Sequence, residues 1–265
     1  MGFMANFKGN QAHAAHVRGD FDKARKLYEE AYAGGMDNPK VLLAYSVLLL
    51  RSQEYDKALE VLRRIEKIPN LPANFRTEML TNYAIICYKK GRTERGVTVL
   101  RDLFRKNKTA TIYGALGYLL VEWAAEGAAP ETQAAASEAA VSEADVSETA
   151  LEKEPALTPA QEAKRLCEEA LEYDDVDPVF LDNMGQYYYR IQGDREKALG
   201  YFQKAIEFKP GAIDTNYFLA LYDIERGDLN AAREKLNTSL QGRFSPLNYA
   251  TPELVQAKLA EISAQ

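Results

Sequence analysis

The side chains that could do chemistry are few. His13 and His16 are the only two histidines, and they stand three residues apart, so a helix would place both imidazoles on one face. Two imidazoles at that spacing could begin a metal site. No Cys, Asp or Glu stands near them as a third ligand until Asp20, so they are expected to be surface or groove-lining histidines and no metal is expected. Cys87 and Cys167 are far apart and fall at apolar positions of helical patterns, which suits reduced, packed thiols better than a disulfide or a metal pair. Gly91-Arg-Thr-Glu-Arg-Gly96 imitates the start of a phosphate loop, but Val97-Thr98 follows where Lys-Ser/Thr is required and no strand precedes it. Paired carboxylates (Glu29-Glu30, Glu168-Glu169, Asp174-Asp175) fall on helix faces or ends, where charges are solvated. Neither a Ser–His–Asp nor a Cys–His device can be assembled from this set. The expectation is a protein without catalysis, cofactor or bound metal.

The elements that would position any site are helical. Hydrophobic residues make up 46% of 265 and charged residues 27%, ordinary for a water-exposed chain with a large core. No run of 18 apolar residues exists, so no spanning helix and no membrane partner are expected. The N-terminal stretch MGFMANFKGNQ has no apolar signal core, which makes a cytoplasmic location the expectation. The net charge of −6 is unevenly placed. Residues 126–158 hold eight acids and one base, and the rest of the chain holds 32 bases and 31 acids. A near-neutral body lacks the clustered positive face that nucleic acid requires.

Five segments share one pattern: GDFDKARKLYEEAY (19–32), QEYDKALEVLRRI (53–65), GRTERGVTVLRDL (91–103), GDREKALGYFQKAIEFKPG (193–211) and GDLNAAREKLNTSL (227–240). A sixth, QEAKRLCEEALEY (161–173), lacks the turn. Each places a small residue where two helices must approach, then a large residue four later. The small residues are Ala24, Ala58, Gly96, Ala163, Ala198 and Ala232, separated by 34, 38, 67, 35 and 34 positions. A helix–turn–helix period near 34 resembles the tetratricopeptide repeat. The unit FLDNMGQYYYRIQGDREKALGYFQKAIEFKPG matches best, with Gly185, Tyr188, Gly193-Asp194, Ala198, Phe202, Ala205 and Pro210 in the family's positions. The resemblance spans about residues 5–240 and implies an all-α, right-handed solenoid of six hairpins, because a single hairpin cannot bury its apolar stripe alone.

The 67-residue gap is two periods, so the fourth hairpin is expected to have its first helix at about 110–125 and its second at about 159–173. This divides the chain into 1–125 (three hairpins and the first helix of the fourth), an Ala/Glu/Ser-rich insertion 126–158, hairpins again over 159–245, and a capping helix within 246–265. The insertion, with Ser137, Ser142 and Ser147 recurring every five residues, has no apolar face at helical period. It reads as a solvated tether, or as an acidic regulatory arm able to cover the groove. TPELVQAKLAEISAQ (251–265) opens with a Thr-Pro helix start and carries Leu254, Ala257, Leu259 and Ile262 to shield the last hairpin.

The resemblance further implies a concave groove lined by the first helix of each hairpin. By family alignment its residues are Leu43, Val47, Leu50, Ile85, Tyr88, Tyr118, Val121, Gln186, Tyr189, Tyr217, Leu221 and Ile224. Asn82 and Asn183 occupy a position that in such proteins often contacts peptide backbone. Family members that bind the acidic C-termini of chaperones use a Lys/Asn–Asn–Lys/Arg clamp. Here Lys8 is followed four later by Ala12, Val47 replaces the Asn, and no base precedes Lys89 in the third unit, so that partner is rejected. An aliphatic and aromatic groove suits an apolar extended segment or an amphipathic helix. The leading expectation is a non-enzymatic adaptor for an unidentified protein or peptide. The alternatives are a homo-oligomerisation module and a ligand-sensing regulator using the same groove.

Overall fold

A computed structural model of the chain describes residues 2–128 and 157–264. The reading of 129–156 as tether or regulatory arm lies outside the described residues.

Thirteen α-helices follow one another without a strand among the described residues. Six antiparallel hairpins come first: α1 (Gly2–Val17) with α2 (Phe21–Ala33), α3 (Pro39–Arg51) with α4 (Tyr55–Glu66), α5 (Ala73–Lys89) with α6 (Thr93–Lys106), α7 (Ala110–Ala128) with α8 (Pro159–Tyr173), α9 (Pro178–Tyr187) with α10 (Arg195–Phe208), and α11 (Ile213–Glu225) with α12 (Leu229–Leu240). The last helix, α13 (Pro252–Ser263), packs on α12. Helices α7 and α8 form a hairpin like the others although residues 129–158 lie between them. The chain is thus an all-α solenoid of helical hairpins.

The repeat pattern explains the packing. The small residues Ala24, Ala58, Gly96, Ala163, Ala198 and Ala232 are all buried, and so are Tyr28, Leu62, Leu100, Cys167, Phe202 and Leu236 four positions on. At Gly96 the approach is so close that a Cβ would stand 2.6 Å from the carbonyl oxygen of Ala84 on α5. Side-chain caps start most even-numbered helices: Asp20, Thr158, Asp194 and Asp228 accept from backbone N–H groups of the first turn. The turn inside each hairpin other than the fourth holds one left-handed residue. Gly193 supplies it at φ 67°, whereas in the second hairpin Gln53 takes φ 59° without the freedom of glycine.

Successive odd-numbered helices touch one another (α1–α3, α3–α5, α5–α7, α7–α9), and no pair of even-numbered helices packs to a comparable extent. The odd helices therefore form the inner, concave layer. Helix α9 ends in a π-helical turn, Tyr188–Gln192, which rotates the side chains that follow relative to a continuous α-helix.

Candidate functional site

The inner layer carries a chain of polar contacts from the third hairpin to the sixth. The Tyr88 hydroxyl donates to Glu122 Oε2 (3.1 Å) and lies 3.3 Å from the Tyr118 hydroxyl. Glu122 is paired with Arg190, which the π turn of α9 aims across to α7. Arg190 also donates to Gln186 Oε1 (3.0 Å), and Gln186 Nε2 donates to Asp182 Oδ2 (2.7 Å). Thr215 of α11 donates its hydroxyl to Asp182 Oδ1 (2.6 Å). Every one of these groups except Tyr88 and Arg190 is buried. The groove is thus not the apolar, weakly charged stripe that the sequence suggested. Its floor is an ion pair extended by hydrogen bonds, flanked by tyrosines.

The second unforeseen element is the segment after α12. Residues 242–251 do not run straight into the capping helix. They fold across the inner face as a strap. Ser245 to Asn248 form a turn: Ser245 N–H donates to Asn248 Oδ1 (2.8 Å) and Asn248 N–H to the Ser245 carbonyl (3.0 Å). Leu247 at its tip packs against both the N-terminal and the central hydrophobic clusters. Tyr249 stacks on Phe218 (centroids 5.1 Å) and lies under the Arg190 guanidinium at 4.3 Å. The Arg243 guanidinium lies 3.9 Å from where a Cβ on Gly19, in the turn between α1 and α2, would stand.

Asp214, the second residue of α11, holds the strap. It accepts from Asn248 Nδ2 (3.1 Å), Tyr249 N–H (3.1 Å) and Ala250 N–H (2.9 Å). Its carboxyl is pushed up to about 7, first by burial and then by the charge of Asp182, against the pull of those three donors. Burial also raises Asp182. The consequence has a definite sign. An unfolded aspartate titrates at about 3.9. Between there and about 7 the folded chain holds a proton on Asp214 that the unfolded chain has released, so this site's contribution to stability declines as pH rises through that window. His13 and His16, both lowered chiefly by burial, act in the opposite direction, since the folded state resists their protonation. The expected result is that Asp214→Asn, compared with the parent by urea unfolding at pH 5 and pH 8, loses the part of the pH dependence that favours pH 5. An unchanged difference between the two pH values would contradict the assignment.

Between the strap and the first turns of α7, α9 and α11 lies a cavity of about 650 Å³. Tyr118 and Asn183 line it, as do Asp182, Asp214, Lys209, and Arg51 at the end of α3. Val47 lies one helical turn before Arg51 and so shares its face. A second cavity of about 400 Å³ opens on the outer side between α4, α5 and α6, lined by Leu59, Leu62, Met79, Arg63 and Arg95 among others.

The residues assigned to the groove by alignment divide by burial. Leu43, Leu50, Asn82, Ile85, Tyr118, Val121, Asn183, Gln186 and Tyr217 are buried, whereas Val47, Tyr88, Tyr189, Leu221 and Ile224 are half-buried. Both asparagines serve neighbouring helices: Asn82 Nδ2 donates to Ser46 Oγ (3.1 Å) and Asn183 Nδ2 to the Gly114 carbonyl (3.1 Å). Glu122, Arg190, Asp182, Asp214 and Tyr249 escaped the sequence reading. The available signal was Glu122 one turn after Tyr118, and Phe244 and Tyr249 in a stretch that otherwise looked like a linker.

The remaining chemical candidates are packed. His16 Nδ1 lies 3.3 Å from the Tyr28 hydroxyl and its ring meets Phe21 and Tyr28 edge-on. Both thiols are buried and free, and burial raises Cys87 and pushes Cys167 up to about 12. Among the described residues no three His, Cys, Asp or Glu side chains are grouped to hold a metal, and no helix is long and apolar enough to cross a membrane.

Stacked hairpins with an inner layer of first helices define a helical repeat scaffold. The tetratricopeptide repeat models match residues 18–76 and 181–210, and the chain is a tetratricopeptide repeat protein. Solved structures agree in fold at low identity. A tetratricopeptide repeat protein from Parabacteroides merdae is 11% identical with a TM-score of 0.67, over 98% of this chain and 84% of that one. A thermophilic one from Thermus thermophilus is 15% identical with a TM-score of 0.59, over 86% and 100%. PilW, a type IV pilus biogenesis factor, is 15% identical with a TM-score of 0.58, over 97% and 100%. No curated protein matches the sequence. Repeat proteins of this family are in general protein-interaction scaffolds and not enzymes.

Proposed function

We propose that the chain is a non-enzymatic adaptor that binds a segment of another protein on its inner face, at the groove bounded by Val47, Tyr88, Tyr118, Tyr189, Leu221 and Ile224. The observation that supports this reading is the cavity beneath the strap, which Tyr118 of the groove lines. Aromatic rings, a buried ion pair and several half-buried aliphatics give such a site both contact area and hydrogen-bonding specificity. The body outside residues 126–158 is near neutral, which disfavours nucleic acid and favours a cytoplasmic protein as partner.

The test is capture of partners from the source cell by the immobilised full chain, using Val47→Asp and Leu221→Asp against Leu59→Asp in the outer cavity. Both inner positions are half-buried, so a carboxylate there repels an apolar segment without entering the core. The expected result is loss of the captured partner, by tenfold or more, for both inner variants and retention for Leu59→Asp. Loss confined to Leu59→Asp would move the site to the outer cavity and overturn the proposal.

A further inference from the structure

Resting on that reading of the groove, we propose that the strap Phe244–Ala250 is a displaceable internal occupant, and that the partner is a segment of the same chemistry. That chemistry is a Ser-Pro-type turn presenting an aliphatic residue, then an asparagine and an aromatic. The strap engages the groove as a peptide ligand would. Two successive backbone N–H groups and one side-chain amide converge on Asp214, Leu247 inserts between two hydrophobic clusters, and Tyr249 fills the space between Phe218 and Arg190. Main-chain bonds supply affinity in such an arrangement and the two side-chain sites supply selectivity.

Its packing is that of a lid and not of a core element. Phe244 to Tyr249 are all only partly buried, and Ala250 alone in the strap is buried. The segment lies in no helix, and the cavity of about 650 Å³ opens beneath Ser245, Leu247 and Asn248. Partial burial and a short, irregular backbone place a segment at the low end of local stability. Tethered between α12 and α13, the strap competes at an effective concentration of about millimolar, so a foreign segment binds the intact chain only to the fraction that is open.

The experiment uses a fluorescein-labelled decapeptide of residues 242–251, titrated by anisotropy into the full chain and into the full-length double variant Leu247→Ala/Tyr249→Ala. The expected result is at least tenfold tighter binding to the variant than to the parent, with a decapeptide carrying the same two replacements binding neither. A variant with parental circular dichroism that does not bind the decapeptide overturns the proposal. Amide exchange in the unmodified chain gives a second reading that does not depend on the variant. The amides of Leu247 to Ala250 are expected to exchange at least a hundredfold faster than those of α11, and equal protection would make the strap a permanent part of the core. Failure of the decapeptide while Val47→Asp still abolishes partner capture would overturn the strap and leave the groove. Decapeptide binding with partner capture indifferent to Val47 and Leu221 would instead overturn the groove as the partner's site.

Discussion

Replacing Arg190 by alanine is expected to destabilise the chain by about 3–5 kcal/mol, read as a fall in the urea midpoint. The guanidinium pairs with Glu122 from the π turn of α9, and both side chains are nearly enclosed, at 14% and 11% exposure. Removing it leaves a carboxylate whose remaining donor is the Tyr88 hydroxyl, and an unpaired buried charge is among the most costly single defects a fold can carry. The loss also frees Gln186 Oε1 and removes the cation over Tyr249, so the strap loosens with it. The control is the double variant Glu122→Gln/Arg190→Met, which removes both charges and keeps most of the volume. It is expected to recover more than half of the loss, since isolated pair deletion and pair replacement differ in this way. If Arg190→Ala costs under about 1 kcal/mol, the pair behaves as a surface bridge and the polar floor described above is solvated.

The second large effect separates two glycines that look alike in sequence. Both Gly96 and Gly200 stand inside even-numbered helices, and alanine is the better helix former by about 1 kcal/mol at either position. At Gly96 a Cβ would lie 2.6 Å from the Ala84 carbonyl oxygen and 2.9 Å from Leu119 Cδ2. The first of these is backbone and cannot rotate away, so α5 and α6 must separate. Gly96→Ala is therefore expected to destabilise by about 1–3 kcal/mol despite the gain in propensity. Gly200 has nothing within 4 Å of its would-be Cβ, and Gly200→Ala is expected to stabilise by about 0.5–1 kcal/mol. Thermal unfolding of the two variants should move in opposite directions. A stabilising Gly96→Ala would mean that the hairpin can breathe at the position where the repeat pattern demands closest approach.

These two cases show which features a single sequence reveals. The small and large positions of each hairpin recur every 34 residues or so, and each is a local consequence of two helices meeting. Six copies make the pattern visible, so Gly96, Ala198 and Phe202 could be placed before any coordinates. The polar floor has no such repetition. Glu122 and Arg190 are 68 positions apart, on either side of the insertion, and neither occupies a position the repeat defines. Their pairing depends on the rotation that the π turn introduces, which no periodicity announces. The strap was hidden for a similar reason. Ser245-Pro246 signals a turn, but that the turn folds back over the inner layer follows only from Asp214, which reads in isolation as an ordinary acid in the first turn of a helix. Burial of that carboxylate, and with it the hydrogen bonds to residues 248–250, is a tertiary property.

Partner binding is assigned to the inner face. The most direct measurement of that assignment is calorimetric titration of the captured partner segment into the parent, Leu221→Asp and Leu59→Asp, with circular dichroism confirming that all three are folded. A dissociation constant raised tenfold or more by Leu221→Asp and unchanged by Leu59→Asp is the expected outcome. Equal affinity for the parent and Leu221→Asp, with loss at Leu59→Asp, would contradict it and place recognition on the outer surface between α4, α5 and α6.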